Sequence, residues 1–158
     1  LDGLAYTFHL RPARFSDGSG PVTAADVVRS FRRVLDPATH SQRTWVLEPL
    51  AGATEFTAGK TAEVAGLTAV DTATVRLVLA RRFGAFLGLL AMPAAAVVKT
   101  DGVAPGAPPL GTGPFRLAEW APGRRFRFEA NPAWTGVGRT LQVIDVRIIQ
   151  DELSARAE

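Results

Sequence analysis

Leu4 to Leu10 alternates, with Tyr6, Phe8 and Leu10 on one side and Ala5, Thr7 and His9 on the other, the two-residue period of a half-buried strand. Pro12 ends that strand, and Asp17-Gly18 and Gly20-Pro21 supply turn residues. From Thr23 the period changes. Val27, Val28, Phe31, Val34 and Leu35 fall on one helical stripe, with Arg29, Arg32 and Arg33 outside it. Thr23 is placed to cap this helix, its hydroxyl accepting a free backbone N–H, with Asp26 in the capping-box position and favourable against the helix dipole. Asp36-Pro37 stops it, because the residue before proline disfavours helical geometry.

Ala38 to Val46 has no period and is expected to be a loop holding His40, Arg43 and Trp45. Pro49 to Gly59 predicts a short helix closed by Gly59, and Val64 to Val70 a strand. After a turn at Asp71 to Thr74, Val75, Leu77 and Leu79 alternate against Arg76, so Leu67 to Leu79 predicts a hairpin. Phe83 to Met92 is too continuously apolar for a surface helix and predicts a buried one, ended by Pro93. A Gly- and Pro-rich connector, Thr100 to Pro109, is the boundary candidate. Beyond it Phe115 to Trp120, Arg125 to Ala130 and Leu141 to Gln150 read as strands, the first two joined across Pro122-Gly123, and Asp151 is placed to cap a helix running through Leu153. The fold class is mixed α/β.

Composition narrows the chemistry. The 158 residues are 47% hydrophobic, enough for one packed core or two small ones. The longest apolar stretch, Phe83 to Val98, is broken by Gly84, Gly88 and Pro93, so no transmembrane helix is expected. Cysteine is absent, which excludes disulfides, thiol catalysis and thiolate metal sites. The formal charge of +3 comes from dispersed arginines, among them Arg32-Arg33, Arg81-Arg82 and Arg124-Arg125, which reads as solvated faces rather than as a nucleic-acid surface. His9 and His40 are the only histidines, and neither stands with a nucleophile and an orienting group. The carboxylates Asp17, Asp26 and Asp36 have turn or cap roles. Nucleotide-loop and zinc spacings are missing, so no catalytic residue, metal or cofactor is expected.

Eight segments carry a family resemblance: LDGLAYTFHLRPARFSDG, VTAADVVRSFRRVLDP, GATEFTAGKTAEVAGLTAVDTATVRLVL, FGAFLGLLAMP, GTGPF, the W-x-PG turn at Trp120, NPAW, and VIDVRIIQDELSARAE. In this order and spacing they resemble the family 5 extracellular solute-binding proteins, the oligopeptide, dipeptide and nickel receptors of bacterial ABC importers. The resemblance implies a partial periplasmic-binding-protein-like II fold, first lobe only. Residues 1–110 would be the outer subdomain, incomplete at its N-terminus, and 111–158 the beginning of the core-sheet subdomain. It implies a non-catalytic receptor that closes on a peptide or other small organic solute and presents it to ABC permease subunits. Such a receptor is extracytoplasmic, periplasmic or lipid-anchored at the outer face of the cytoplasmic membrane. The chain opens at Leu1 in a strand-like segment and stops at Glu158 in a helix-like one, so a longer parent chain, with any export signal upstream, is expected. The rival expectation is a receptor-derived interaction domain fused to a sensor or regulator.

Ligand contacts follow from the same resemblance. Arg43 and Trp45 resemble an Arg and a Trp that meet an anionic metal chelator in nickel-type relatives. An arginine pairs bidentately with a carboxylate, and a tryptophan offers a flat apolar wall with one donor. The alternative is that Trp45 plugs the core and Arg43 is solvated. Met92 is an adaptable apolar wall or a core residue. Nickel-type members place an arginine immediately after the corresponding proline; here that position is Ala94, which favours a peptide over a nickel chelate. The acidic residue that holds a peptide's amino terminus comes from the second lobe and has no counterpart here. Gly111 and Gly113 are expected to allow positive φ or close backbone approach, and Pro114 to fix a strand entry; Trp120 and Trp134 are expected to be fold residues.

Overall fold

A computed structural model describes residues 3–102, 107, 110–138 and 140–149. They form two units, one from Leu1–Pro12 and Pro21–Gly102, the other from Ala13–Gly20 and Val103–Glu158. Ala13–Gly20 belongs to the second unit, where the Ser16 N–H donates to the Gly111 carbonyl at 3.0 Å.

Thr23 and Asp26 start the main helix of the first unit. The Asp26 carboxylate accepts the Thr23 backbone N–H at 2.8 Å and its hydroxyl at 2.7 Å, which closes a capping box. Helix α1 then spans Ala24–Leu35. It buries Val27, Phe31, Val34 and Leu35, each worth about 1.5–3 kcal/mol when removed from water. Ser30, on the same face, both donates to the Val98 carbonyl and accepts the Val98 N–H, at 3.0 Å each. Asp36 ends α1, and its carboxylate accepts the Ala38 N–H to start a 3₁₀ turn over Pro37–Thr39. A second 3₁₀ turn covers Thr44–Val46, so the expected loop holds two ordered turns.

Strands β1 (Ala5–His9), β2 (Leu67–Ala69) and β3 (Thr74–Val78) make an antiparallel sheet with β3 central. Tyr6, Leu77 and Leu67 stand opposite one another, as do Phe8, Val75 and Ala69, so these two rows share one face. The Asp71 carboxylate accepts the Ala73 N–H at 2.7 Å and shapes the turn between β2 and β3. Helix α2 is Ala53–Thr57. Its end is a Schellman motif: Gly59 sits at φ +70°, its N–H donates to the Phe56 carbonyl, and the Lys60 N–H donates to the Glu55 carbonyl.

Three segments of this unit meet at Ala51, Gly66 and Val78. The Ala51 N–H donates to the Val78 carbonyl at 2.9 Å, the Val78 N–H to the Gly66 carbonyl at 2.8 Å, and the Gly66 N–H to the Ala51 carbonyl at 2.7 Å. A Cβ on Gly66 would stand 2.2 Å from the Val78 carbonyl oxygen and 2.7 Å from the Ala51 nitrogen. Glycine is required there by close approach.

Helix α3, Phe86–Leu90, corrects the expectation of a buried helix. With five residues it turns one face inward: Phe86 is fully buried and its ring lies 5.5 Å from that of Tyr6. Leu87, one position on, is 53% exposed.

In the second unit β4 (Phe115–Ala121), β5 (Arg125–Ala130) and β6 (Val143–Arg147) form an antiparallel meander. The Arg124 N–H donates to the Ala121 carbonyl across the expected Pro122-Gly123 turn. The register shifts between Leu117 and Glu119, a bulge that leaves Ala118 without a partner. Strict alternation would set Trp120 on the side opposite Leu117; the bulge brings both to one face. That face is apolar, with Leu117 opposite Phe128, Trp120 opposite Phe126, and Ile144 and Val146 opposite the two phenylalanines from β6. The other face carries a ladder of ion pairs: Arg116–Glu129, Arg125–Asp145, Arg127–Asp145, Arg127–Glu129 and Arg125–Glu119.

Asn131, fully buried, joins two of the sequence motifs. Its Nδ2 donates to the Gly113 carbonyl at 2.7 Å, its backbone N–H donates to the Pro114 carbonyl at 2.9 Å, and its Oδ1 accepts the Ala133 N–H at 2.9 Å. The glycines of GTGPF therefore act differently from expectation. Neither Gly111 nor Gly113 has positive φ, and a Cβ on either would meet nothing within 4 Å among the described residues. Gly113 is engaged through its carbonyl. The helix expected from Asp151 lies outside the described residues.

Three outcomes follow from this packing. Gly66→Ala is expected to lower stability by at least about 3 kcal/mol in urea unfolding, since backbone on both sides must move, whereas Gly88→Ala, which meets open space in α3, leaves stability unchanged or raises it by about 0.5–1 kcal/mol. Asn131→Ala leaves the buried Gly113 carbonyl without its donor and is expected to cost about 2–3 kcal/mol in the same measurement. Burial works to raise the pKa of Asp26, but hydrogen bonds from the Thr23 hydroxyl and N–H and from Arg29 outweigh it and hold the carboxyl below its ordinary 3.8. A carboxyl depressed on folding stabilises the native state above its unfolded-state value and loses that contribution as pH falls through the folded value. The window is thus below about pH 4. Urea midpoints measured from about pH 2 to about pH 7 should show a shallower acid limb in Asp26→Asn than in the parent chain.

Candidate functional site

The turn that holds Arg43 and Trp45 is pinned from its inner side. Val46 and Leu47 are fully buried, and the Val46 N–H donates to the Arg43 carbonyl while the Leu47 and Glu48 N–H groups donate to that of Thr44. With Val46 and Leu47 committed to the core, Trp45 is left on the solvent side, 42% exposed. The core-plug alternative for Trp45 does not match this placement. The Arg43 backbone N–H donates to the Ser41 hydroxyl at 3.2 Å, and its exposed guanidinium makes no ion pair among the described residues. A cation and an indole thus stand two residues apart on a hydrogen-bonded turn, free to meet an anionic or planar group.

Met92 and Ala94 stand on another turn. Met92 has extended backbone and precedes a 3₁₀ turn at Pro93–Ala95, in which the Ala95 N–H donates to the Met92 carbonyl. Both side chains are half-buried and pack against the first unit's core, Ala95 beside them being buried. Their packing role is direct, and each keeps part of its surface open. Among the described residues no hydrogen bond, ion pair or ring contact joins this turn to Arg43 or Trp45.

The two histidines take structural places. His9 Nδ1 lies 3.2 Å from the Thr74 hydroxyl, a cross-strand pair on the sheet. Asp71 beside it is held below the usual carboxylate range by the Ala73 N–H first and the Thr74 hydroxyl second. His40 takes left-handed backbone, φ 49°, at the end of the Pro37–Thr39 turn. No group of three or more His, Cys, Asp or Glu side chains gathers to hold a metal among the described residues. Trp120 stacks on Phe126 at 6.3 Å and is itself 48% exposed. Asn131 is the functional-looking polar residue that pattern reading passes over; its signal is a lone Asn before proline, closing a motif whose partner lies 18 residues earlier.

The sequence profile of the bacterial extracellular solute-binding proteins, family 5 Middle, matches residues 1–158. Di/tripeptide-binding protein 4 of Pseudomonas aeruginosa is 36% identical over 148 residues, spanning 83% of this chain and 27% of that protein. The glutathione-binding protein GsiB of Escherichia coli K12 is 33% identical over 125 residues, spanning 75% and 22%. The solved structure of the Escherichia coli murein tripeptide binding protein MppA superposes with a TM-score of 0.87 at 30% identity, covering 99% of this chain and 33% of that one. The chain therefore spans about a quarter of the length of the curated relatives it matches. Its mixed α/β architecture is that of part of a periplasmic-binding-protein-like II fold. The chain belongs to family 5 of the bacterial extracellular solute-binding proteins.

Proposed function

We propose that this chain is part of the first lobe of a peptide receptor, the extracytoplasmic substrate-binding component of a bacterial ABC importer. Residues 1–110 serve as the outer subdomain of that lobe and 111–158 begin its core sheet. The observation that carries the reading is the match along the chain to relatives whose names specify di- and tripeptides, glutathione and a murein tripeptide.

Arg43 and Trp45 supply the ligand contacts of this lobe, the guanidinium pairing with a peptide carboxylate and the indole covering its backbone. Their exposure on a pinned turn supports that role. Met92 and Ala94 add apolar wall. The small side chain of Ala94 after Pro93 leaves room for an organic ligand where an arginine would bring a cation. No bond is made or broken in this function. Affinity comes from burial between two lobes whose closure shifts the population from open to closed, and the closed receptor delivers the solute to permease subunits.

Isothermal titration of the 158-residue chain with Ala-Ala, Ala-Ala-Ala and glutathione is expected to give no binding in the micromolar range, because a cleft shared by two lobes has only one side here. Micromolar binding by this chain alone overturns the shared cleft. In a full-length receptor carrying this chain, Arg43→Ala is expected to weaken peptide binding about 10- to 100-fold, while Arg33→Ala on the outer side of α1 leaves it unchanged. Equal affinities in the parent and in both Arg43→Ala and Trp45→Ala overturn the assigned contacts.

A further inference from the structure

The meander of the second unit ends in an unevenly charged corner. The Arg124 N–H donates to the Ala121 carbonyl at 3.0 Å and the Arg124 carbonyl accepts the Ile148 N–H at 2.8 Å, so the backbone of this turn is fixed on both sides. An antiparallel bond at that place makes the next pair inward, Arg125 with Arg147, a non-hydrogen-bonded pair, the kind whose side chains stand closest, with Cα atoms about 4.5 Å apart. Of the residue pairs between β5 and β6 it alone sets like charges opposite, which is destabilising in itself. The next charged pair, Arg127 with Asp145, is complementary.

We propose that Arg124, Arg125 and Arg147 form a site for a phosphate group, in a recess of about 270 Å³ that they line together with Ile148 and Ile149. No carboxylate lines the recess among the described residues. Arg124 makes no ion pair or side-chain hydrogen bond among those residues. Arg125 is oriented by Asp145, to whose Oδ1 its Nε and Nη2 donate at 3.1 and 2.9 Å, and its Nη1 keeps its donors. Glu119 stands 3.7 Å from the same guanidinium, and Asp145 is shared with Arg127. The carboxylates of the ladder are therefore committed, and the excess positive charge gathers where Arg124 and Arg147 join Arg125.

Charge and shape together select the ligand. Guanidinium forks match phosphate oxygens bidentately, and a tetrahedral phosphate offers oxygens in several directions, so it can accept from three forks at once. A carboxylate has two coplanar oxygens and engages fewer. Ile148, 40% exposed, and the half-buried Ile149 supply an apolar wall beside the charges, suited to the ester side of a phosphate. A free phosphate and the headgroup of an anionic lipid share this chemistry. The site lies in the second unit and uses none of the residues assigned to peptide contact, so it does not rest on the peptide reading.

Nuclear magnetic resonance of the ¹⁵N-labelled 158-residue chain at neutral pH provides the test, with sodium phosphate as the probe, and sodium acetate and sodium chloride as controls at matched ionic strength. Saturable shifts of the Arg124, Arg125, Arg147 and Ile148 amides are expected with phosphate alone, with a Kd on the order of millimolar. Arg124→Ala and Arg147→Ala should each weaken this about fivefold and Arg124→Lys about twofold, while Arg33→Ala on α1 leaves it unchanged. Unchanged amides along β4 verify that the variants stay folded. Sedimentation with phosphatidylglycerol vesicles, against zwitterionic phosphatidylcholine vesicles, separates the two sources. Binding to the anionic vesicles that phosphate displaces identifies a lipid headgroup, and phosphate binding without vesicle binding identifies a free phosphate; either result upholds the site. Equal shifts with acetate or chloride, the absence of saturation, or an unchanged titration in both Arg124→Ala and Arg147→Ala overturns it.

Discussion

Three backbone hydrogen bonds that close on one another, from Ala51 to Val78, Val78 to Gly66 and Gly66 to Ala51, tie together parts of the first unit that are far apart in sequence. Each group is a main-chain donor or acceptor, so no side chain can be exchanged to replace it. The arrangement admits no Cβ at Gly66, and this fixes how close the Val64–Gly66 approach runs to the end of β3. The turns that follow depend on it. Leu50 bridges to Leu79 beside the triangle, Leu47 and Val46 are buried just before it, and the burial of those two residues is what turns Trp45 outward. A constraint on one glycine thus reaches the candidate ligand contacts through Ala51, Leu50, Leu47 and Val46.

The sheet of the second unit shows a different division of labour. One inserted residue, Ala118, rotates the rest of β4 so that Trp120 joins Leu117, Phe126 and Phe128 on one face and Glu119 joins the arginines on the other. Each ion pair of that charged face is partly exposed and individually worth at most about 1 kcal/mol. Their joint effect lies in register. A slip of one residue would set Arg125 and Arg127 opposite apolar residues of β6 and carry Phe126 and Phe128 to the charged side.

The first half of the chain was the more legible. The stripe of α1, its capping box, the Asp36-Pro37 stop, the Gly59 cap and the β2–β3 hairpin all depend on residues within a few positions of one another, and those are the signals a single sequence carries. What escaped depends on distant partners. Alternation cannot reveal a bulge, because the residue that has no partner is defined only against the neighbouring strand. Apolar content cannot tell that α3 has one inward face, since that follows from a length of five residues. Gly113 was legible as constrained, but the constraint comes from Asn131 and acts on a carbonyl, which every residue type possesses. Of the candidate contacts, the residue types at Arg43 and Trp45 were readable; the exposure of the indole was not, because Val46 and Leu47 decide it.

The ion-pair ladder also bears on the arginine-rich composition. Arg116, Arg125 and Arg127 face Glu119, Glu129 and Asp145, three positive charges against three negative ones within a few ångströms. At distances beyond about 8–10 Å in physiological salt, such a set is electrically silent. Arg147, opposite Arg125 in the register, adds a fourth arginine to this face against the three carboxylates, so an approaching polyanion would meet about one net positive charge and not the full count of arginines. Most of the arginine charge in this part of the molecule is therefore neutralised in pairs and does not reach the surrounding solution.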